Sequence, residues 1–250
     1  MRTIPVLLAA CAVALAGCGG GDDDTLTVSA AASLKKALTD YGGSFEEAKT
    51  RFSFAGSDEL AAQIRKGAKP DVFASANTKL PDVLYDEGLV EKPVTFAGNR
   101  LVLAVPADSD AGIASLQDIE KAGTTLAIGS ESVPVGSYTR AVLSKLPESE
   151  SSKILKNVRS EEPDVAGIVG KLTQGAVDAG FVYVSDVRAT DGKLKAIELP
   201  DSLQPTVAYG VAVVKGAKNE DAAKAFIDGL LDGDGKAALD AAGFEPPPAQ

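Results

Sequence analysis

From Leu26 almost to its end the chain alternates short β-rich runs with amphipathic helical runs, and that alternation restricts it to an α/β architecture. Leu26–Ala30 and Arg51–Ala55 read as strands, while Leu34, Ala37, Leu38 and Tyr41 fall on one helical face between them. Strand, helix and strand in about thirty residues form a βαβ unit. The series continues with a helix over about Asp58–Lys66, a strand at Val72–Ala76 and a helix near Leu80–Glu87. A second series opens at Arg100–Val105. It runs through Thr125–Ile128 (strand), Gly136–Leu146 (helix), Asn157–Ser160 (strand), Val165–Gln174 (helix) and Ala179–Tyr183 (strand). Each series is about a hundred residues, the size of a small domain. The late β run Thr206–Val214, followed by helical patterns at Asp221–Leu231 and Lys236–Ala242, reads as a return crossing. The expectation is two doubly wound α/β lobes joined by hinge crossings: lobe 1 from residues 25–97 plus about 208–250, lobe 2 from residues 98–207. No internal repeat or low-complexity block interrupts the pattern.

Ahead of this region, Arg2 is followed by an apolar run from Ile4 to Ala16 and then Gly17-Cys18. A cationic start, a short apolar stretch and small residues before the cut describe a secretory signal, too short to be a permanent membrane span. Leu15-Ala16-Gly17-Cys18 resembles the lipobox of bacterial lipoproteins. That resemblance implies a signal peptide over residues 1–17, acylation of Cys18, and a mature protein tethered to the outer face of the cytoplasmic membrane. Residues 18–24, with Gly19-Gly20-Gly21-Asp22-Asp23-Asp24, then form a polar, flexible linker. Cys11 leaves with the signal, so the exported fold has no disulfide and rests on packing.

Two absences remove classes of function. The chain has no histidine, and its two cysteines lie at or before the tether, so a zinc site of imidazole or thiolate ligands cannot be built. Neither can a Ser-His-Asp or Cys-His nucleophile. The net charge of −10, without any basic stripe interleaved with aromatics, argues against nucleic acid. Asp, Glu, Tyr and Lys remain available for acid-base work, so an enzyme stays open on residue content alone.

The candidate binding residues stand at the starts of helices. Ser33 precedes the Leu34 helix, Ser57 precedes the Leu60 helix, Val135-Gly136-Ser137 follows Pro134, and Asp164-Val165 follows Pro163. Each comes just after a strand, the edge where open α/β sheets bind ligands. Unpaired N–H groups and the positive end of a helix suit an anion there. Serine and aspartate are also good N-caps, and the residues alone leave both roles open. Tyr183, at a strand end, reads by itself as an aromatic packing at the lobe interface, with a ligand donor as the alternative.

Five segments in this order and spacing carry a resemblance. They are Ala31-Ala32-Ser33-Leu34, Gly56-Ser57 with Leu60-Ala61-Ala62-Gln63-Ile64, Pro70-Asp71-Val72-Phe73-Ala74-Ser75-Ala76, Val133-Pro134-Val135-Gly136-Ser137-Tyr138, and Asp178-Ala179-Gly180-Phe181-Val182-Tyr183-Val184-Ser185-Asp186. Together the sequence from about Thr25 to Phe244 resembles the periplasmic molybdate-binding proteins of molybdate ABC importers, bacterial extracellular solute-binding proteins with a type II-like periplasmic binding fold. The resemblance implies an oxyanion site formed by the hydroxyl and N–H of Ser33 and Ser57, the backbone N–H of Val135 and Val165, and the phenol of Tyr183. Val135 departs from the family's usual alanine; a backbone donor survives that change, but the larger side chain can narrow the pocket.

Every group in that set is a neutral donor. Hydrogen bonds to a charged partner contribute about 1.5–3 kcal/mol each, and several of them, less the cost of association, reach micromolar to nanomolar binding. The implied function is capture of molybdate, with tungstate as a second ligand, and delivery to the membrane permease of an ABC importer. No cofactor is implied, molybdenum being present only as bound molybdate with no direct protein ligand, and a monomer is expected. Alternatives are a binder of sulfate or phosphate, a lipid-anchored enzyme acting on an oxyanion ester, and a structural lipoprotein or adhesin. Asp58 and Asp164 bear on phosphate, which needs an acceptor for its proton. They read instead as carboxylates stabilising helix N-termini.

Overall fold

The computed structural model describes residues 25–249; the signal, Cys18 and the linker lie outside them. Among the described residues, ten strands divide into two five-stranded sheets. The first holds β1 (Thr25–Ala31), β2 (Lys49–Ala55), β3 (Val72–Ser75), β4 (Val94–Asn99) and β10 (Val207–Val213), in the order β2-β1-β3-β10-β4. The second holds β5 (Leu101–Pro106), β6 (Leu126–Gly129), β7 (Val158–Glu162), β8 (Ala179–Tyr183) and β9 (Leu194–Glu198), in the order β7-β6-β8-β5-β9. In each sheet four strands run one way and a single strand, β10 in the first and β5 in the second, runs antiparallel between two of them, so both are mixed sheets. The fourth strand of each sheet arrives from the other: β5 continues from β4 across Arg100, and β10 returns after the turn at residues 200–206. The β-rich run at Thr206–Val214 is this return strand, antiparallel to β3 with Val211 opposite Ala74.

The sequence shows no repeat, yet the two sheets share a clasp. Thr27 in β1 donates its N–H and hydroxyl to Asp71 Oδ2 at 2.7 and 2.6 Å, and the Asp71 N–H donates back to Thr27 Oγ1 at 3.0 Å. Thr125, just before β6, makes the same three bonds with Asp178 at 2.7, 2.7 and 3.1 Å. Each aspartate immediately precedes the strand, β3 or β8, that lies parallel beside β1 or β6, so the clasp sets the register of these neighbours at their entry edge. Burial alone would raise the Asp71 carboxyl, but bonds from Thr27 and from the Asn219 and Lys218 N–H groups hold it below the usual carboxylate range.

Helices cover both faces. In lobe 1, α1 (Lys35–Ser44) follows β1 through a short 3-10 turn at Ala32–Leu34, α2 (Ser57–Arg65) follows β2, and α3 (Lys79–Asp86) follows β3. In lobe 2, α4 (Pro134–Leu143) follows β6, α5 (Glu148–Lys156) precedes β7, α6 (Val165–Thr173) follows β7, and α7 (Val184–Arg188) follows β8. The last helices, α8 (Glu220–Leu231) and α9 (Asp234–Ala242), pack back on the first sheet's side, where Phe226 is fully buried beside Tyr41. Fully buried Leu101, Leu103, Leu126, Ile128 and Phe181 fill the second sheet, as Leu26, Val28, Val72 and Val211 fill the first. Their burial against both helical layers is the main source of stability.

Candidate functional site

The carboxyl ends of β1, β2 and β3 in one sheet face those of β6, β7 and β8 in the other, across a small cavity of about 20 Å3. By the same measure a single water needs about 10–15 Å3, so the space suits a species of very few atoms. Its wall includes all five residues singled out from the sequence: Ser33, Ser57, Val135, Val165 and Tyr183. No lysine or arginine is among the lining residues, and Asp164 is the one ionisable carboxylate there.

Ser57 is the first residue of α2, with Gly56 as the N-cap, and its side chain caps nothing. Its Oγ accepts the Ala76 N–H at 3.0 Å, a bond from the end of β3, so its own proton is free for another acceptor. Ser33 sits in the 3-10 turn ahead of α1 and likewise makes no side-chain cap. Its Oγ lies 3.0 Å from the phenol oxygen of Tyr209, in β10. Capping is thus not the role of either serine. It is the role of Asp164, whose Oδ1 accepts the Gly167 N–H at 2.9 Å as the N-cap of α6.

Val135 and Val165 contribute backbone. Pro134 occupies the first position of α4, where its missing N–H costs nothing, and Val135 follows it. Val165 opens α6. The N–H groups of a first turn have no partner inside the helix, and both helices begin at the cavity. The Val135 side chain is buried. Gly136 is obligatory beside it: a Cβ there would lie 1.9 Å from the Ser130 carbonyl oxygen.

Tyr183 ends β8 and is 1% exposed, and its phenol oxygen has no hydrogen-bond partner in the protein. A buried hydroxyl without a partner costs about 1–3 kcal/mol, and this one lies in the cavity wall. Its ring packs edge-on against Tyr138 and Tyr209 at 6.4 and 6.0 Å. Burial, then the neighbouring tyrosines and Asp186, push its phenol well above the usual range, so it stays a donor at neutral pH. The turn into α7 is fixed by Asp186, whose Oδ2 accepts the Tyr183 N–H at 2.9 Å.

Gly56 brings the two lobes within touch. A Cβ there would meet the Pro163 carbonyl oxygen at 2.4 Å and Val133 Cγ1 at 3.4 Å, both from the opposite lobe. Asp58, the second residue of α2, is not among the lining residues, and its Oδ1 is buried without a partner. Sequence reasoning missed Tyr209, Ala76 and Asp186. Tyr209 lies in a strand of ordinary composition, and its partner Ser33 is 176 residues away.

Two mixed α/β sheets that close over a small cavity ringed by neutral donors define a ligand-binding clamp. The chain belongs to the bacterial extracellular solute-binding protein family, whose model matches residues 26–245. It is 34% identical to the molybdate-binding protein ModA of Mycobacterium tuberculosis H37Rv over 228 residues, covering 89% of this chain and 85% of that protein. It is also 34% identical to the molybdate-binding protein ModA of Escherichia coli K12 over 237 residues, 89% of each. The periplasmic molybdate-binding protein of Azotobacter vinelandii superposes with a TM-score of 0.80 at 22% identity, over 89% of this chain and all of that one. Among the described residues, no helix is long and apolar enough to cross a membrane.

Proposed function

We propose that the protein captures molybdate, and tungstate as a second ligand of the same charge and shape, outside the cytoplasmic membrane and delivers it to the permease of an ABC importer. The observation that carries this reading is a cavity of about 20 Å3 walled by Ser33, Ser57, Val135, Val165 and Tyr183, without a cation and with one phenol lacking any partner. A fully deprotonated tetrahedral dianion supplies acceptors to every one of those donors. The names of the relatives point the same way.

Asp164 is the one carboxylate in the wall and it is engaged as the N-cap of α6, which favours binding without turnover. Lobe 1 comprises residues 25–97 and about 208–250, and lobe 2 residues 98–207, which puts Ser33 and Ser57 on one jaw and Val135, Val165 and Tyr183 on the other. The protein acts as a monomer held to the membrane by acylated Cys18. Mass spectrometry of the membrane fraction checks the anchor: unmodified Cys18 on soluble protein contradicts it.

Thermal denaturation of the protein freed of its tether, against a panel of oxyanions, tests the function. A true ligand at a hundred times its dissociation constant stabilises by about 2.7 kcal/mol. A melting temperature unmoved by molybdate and tungstate rejects the proposal.

A further inference from the structure

Asp186 is a buried carboxyl group that adjoins the oxyanion cavity without lining it. Its Oδ2 accepts the N–H of Tyr183, a residue of the cavity wall, at 2.9 Å. Only 8% exposed, it borders a second and larger cavity of about 460 Å3. That groove lies between segments assigned to opposite lobes: Ala32, Ser33 and Lys35 on one side, and Ala166, Val169 and Thr190 on the other. Ser33 belongs to the walls of both cavities. A dianion held by Ser33 and Tyr183 is therefore a near neighbour of Asp186, with little water between them to screen its charge.

The groups around Asp186 do not neutralise it. Asp164, ahead of α6, is a second carboxylate whose charge acts on it. On α1, Lys36 pairs with Asp40, and Lys35 is exposed at the groove. Lys171 of α6 pairs with Glu162, and Arg188 of α7 itself lies over Gly243. Beside β5 and β9, Arg100 pairs with Glu198 and Asp201, while Lys195 is exposed. The remaining ionisable neighbours are the buried phenols of Tyr183 and Tyr209. Among the described residues, no ion pair reaches Asp186.

We propose that Asp186 is a positioning residue that takes up a proton from solvent as the oxyanion binds and the lobes close, so that capture strengthens as pH falls and release is favoured as it rises. Two effects act in the same sense. The arriving dianion repels an ionised carboxylate, and closure of the groove removes the water that would solvate it. A protonated Asp186 escapes both and still accepts the Tyr183 N–H through its carbonyl oxygen, so the phenol keeps its aim. Burial already pushes this carboxyl up to about 7, which makes the proton available near neutrality. Because the bound state holds the proton more tightly than the free state, the gain in affinity is full at low pH and is lost as pH rises through the bound-state value.

This inference rests on the oxyanion reading, and its test separates the two. Calorimetric titration with molybdate in two buffers of different ionisation heat, neither containing a competing oxyanion, counts the protons exchanged. The wild type is expected to take up about half a proton or more at pH 7, and its affinity to fall about tenfold between pH 6 and pH 8. Asp186→Asn keeps an oxygen for the Tyr183 N–H and cannot ionise, so its affinity is expected to stay level over the same range with no uptake. Wild-type binding without proton uptake overturns the proposal and leaves the function intact, and so does an Asp186→Asn protein that keeps the wild-type slope. Wild-type protein that binds no oxyanion overturns the function itself. Should Asp186→Asn fail to fold, infrared difference spectra of the wild type at pH 7 replace it. Molybdate is expected to produce a protonated-carboxyl band at the expense of a carboxylate band, and a spectrum without that exchange is equally contradictory.

Discussion

Ser57 Oγ accepts the backbone N–H of Ala76 at 3.0 Å, and that bond ties the start of α2 to the end of β3 while aiming the serine's proton away from both. Binding and stability therefore share one side chain. Ser57→Ala is expected to weaken molybdate binding by about 1–3 kcal/mol, and to cost a comparable amount of stability because the buried Ala76 N–H loses its acceptor. Chemical denaturation without ligand, set beside calorimetric titration, checks both. Loss of affinity with unchanged stability would mean that the Ala76 bond carries no weight.

Tyr183 gives the opposite signature. Its phenol has no partner in the protein, so Tyr183→Phe removes a buried unsatisfied group. The unliganded variant is expected to melt at the same or a higher temperature, while molybdate affinity falls by about 1–3 kcal/mol. A lower melting temperature with full affinity would show the hydroxyl to be structural.

Gly56 tests closure. An alanine methyl would press on the Pro163 carbonyl oxygen and Val133 from the other jaw, with little to meet within its own lobe except Asp58. Gly56→Ala is expected to leave the unliganded fold stable and to reduce affinity by about tenfold or more, some 1.4 kcal/mol, by holding the jaws apart. Small-angle scattering with ligand reads the effect directly, since the variant stays more open than the wild type. Equal compaction of the two proteins contradicts it.

Much of the fold was legible because its parallel strands, buried on both faces, appear as continuous apolar runs such as Val72–Ala76 and Ala179–Tyr183. The late β run at Thr206–Val214 was legible for the same reason, as β10 lies between two other strands. The edge strands β4 and β9 were not. Leu194–Glu198 is short and half exposed, and Val94–Asn99 runs into β5 with only Arg100 between them. Helix α5 buries only Ile154 and so leaves almost no apolar period. The site's first layer was visible as helix starts after strands. The residues behind it were not, because Ser57 to Ala76, Ser33 to Tyr209 and Thr27 to Asp71 are pairings between distant segments that leave no periodic trace. The serines also read as caps, a role the structure gives to Asp164 instead.

Asp186 makes stability depend on pH. Burial, with the charge of Asp164 adding to it, pushes its carboxyl up to about 7 against the pull of the Tyr183 N–H. The folded state therefore holds a proton that the unfolded chain releases near 3.8. Between these values the folded state binds more protons, so this group's contribution to stability declines as pH rises and levels off above about 7. Asp186→Asn keeps an oxygen for the Tyr183 N–H and cannot ionise. Denaturation of both proteins at about pH 5, 6 and 8 is expected to show the variant gaining on the wild type as pH rises. A constant difference would mean that Asp186 does not titrate in this range.

The most direct measurement is calorimetric titration of the soluble protein with molybdate, tungstate, sulfate and phosphate at a pH near 7.5. A wall of donors that are short of acceptors favours dianions without a proton, and a rigid ring of helix ends sized for the larger ions leaves sulfate with long, weak bonds. The expected result is molybdate and tungstate within about tenfold of each other, sulfate weaker by at least about a hundredfold, and phosphate weakest of the four. Phosphate binding as tightly as molybdate would contradict it, because Asp164 would then be accepting a ligand proton and the cavity would not be a molybdate site.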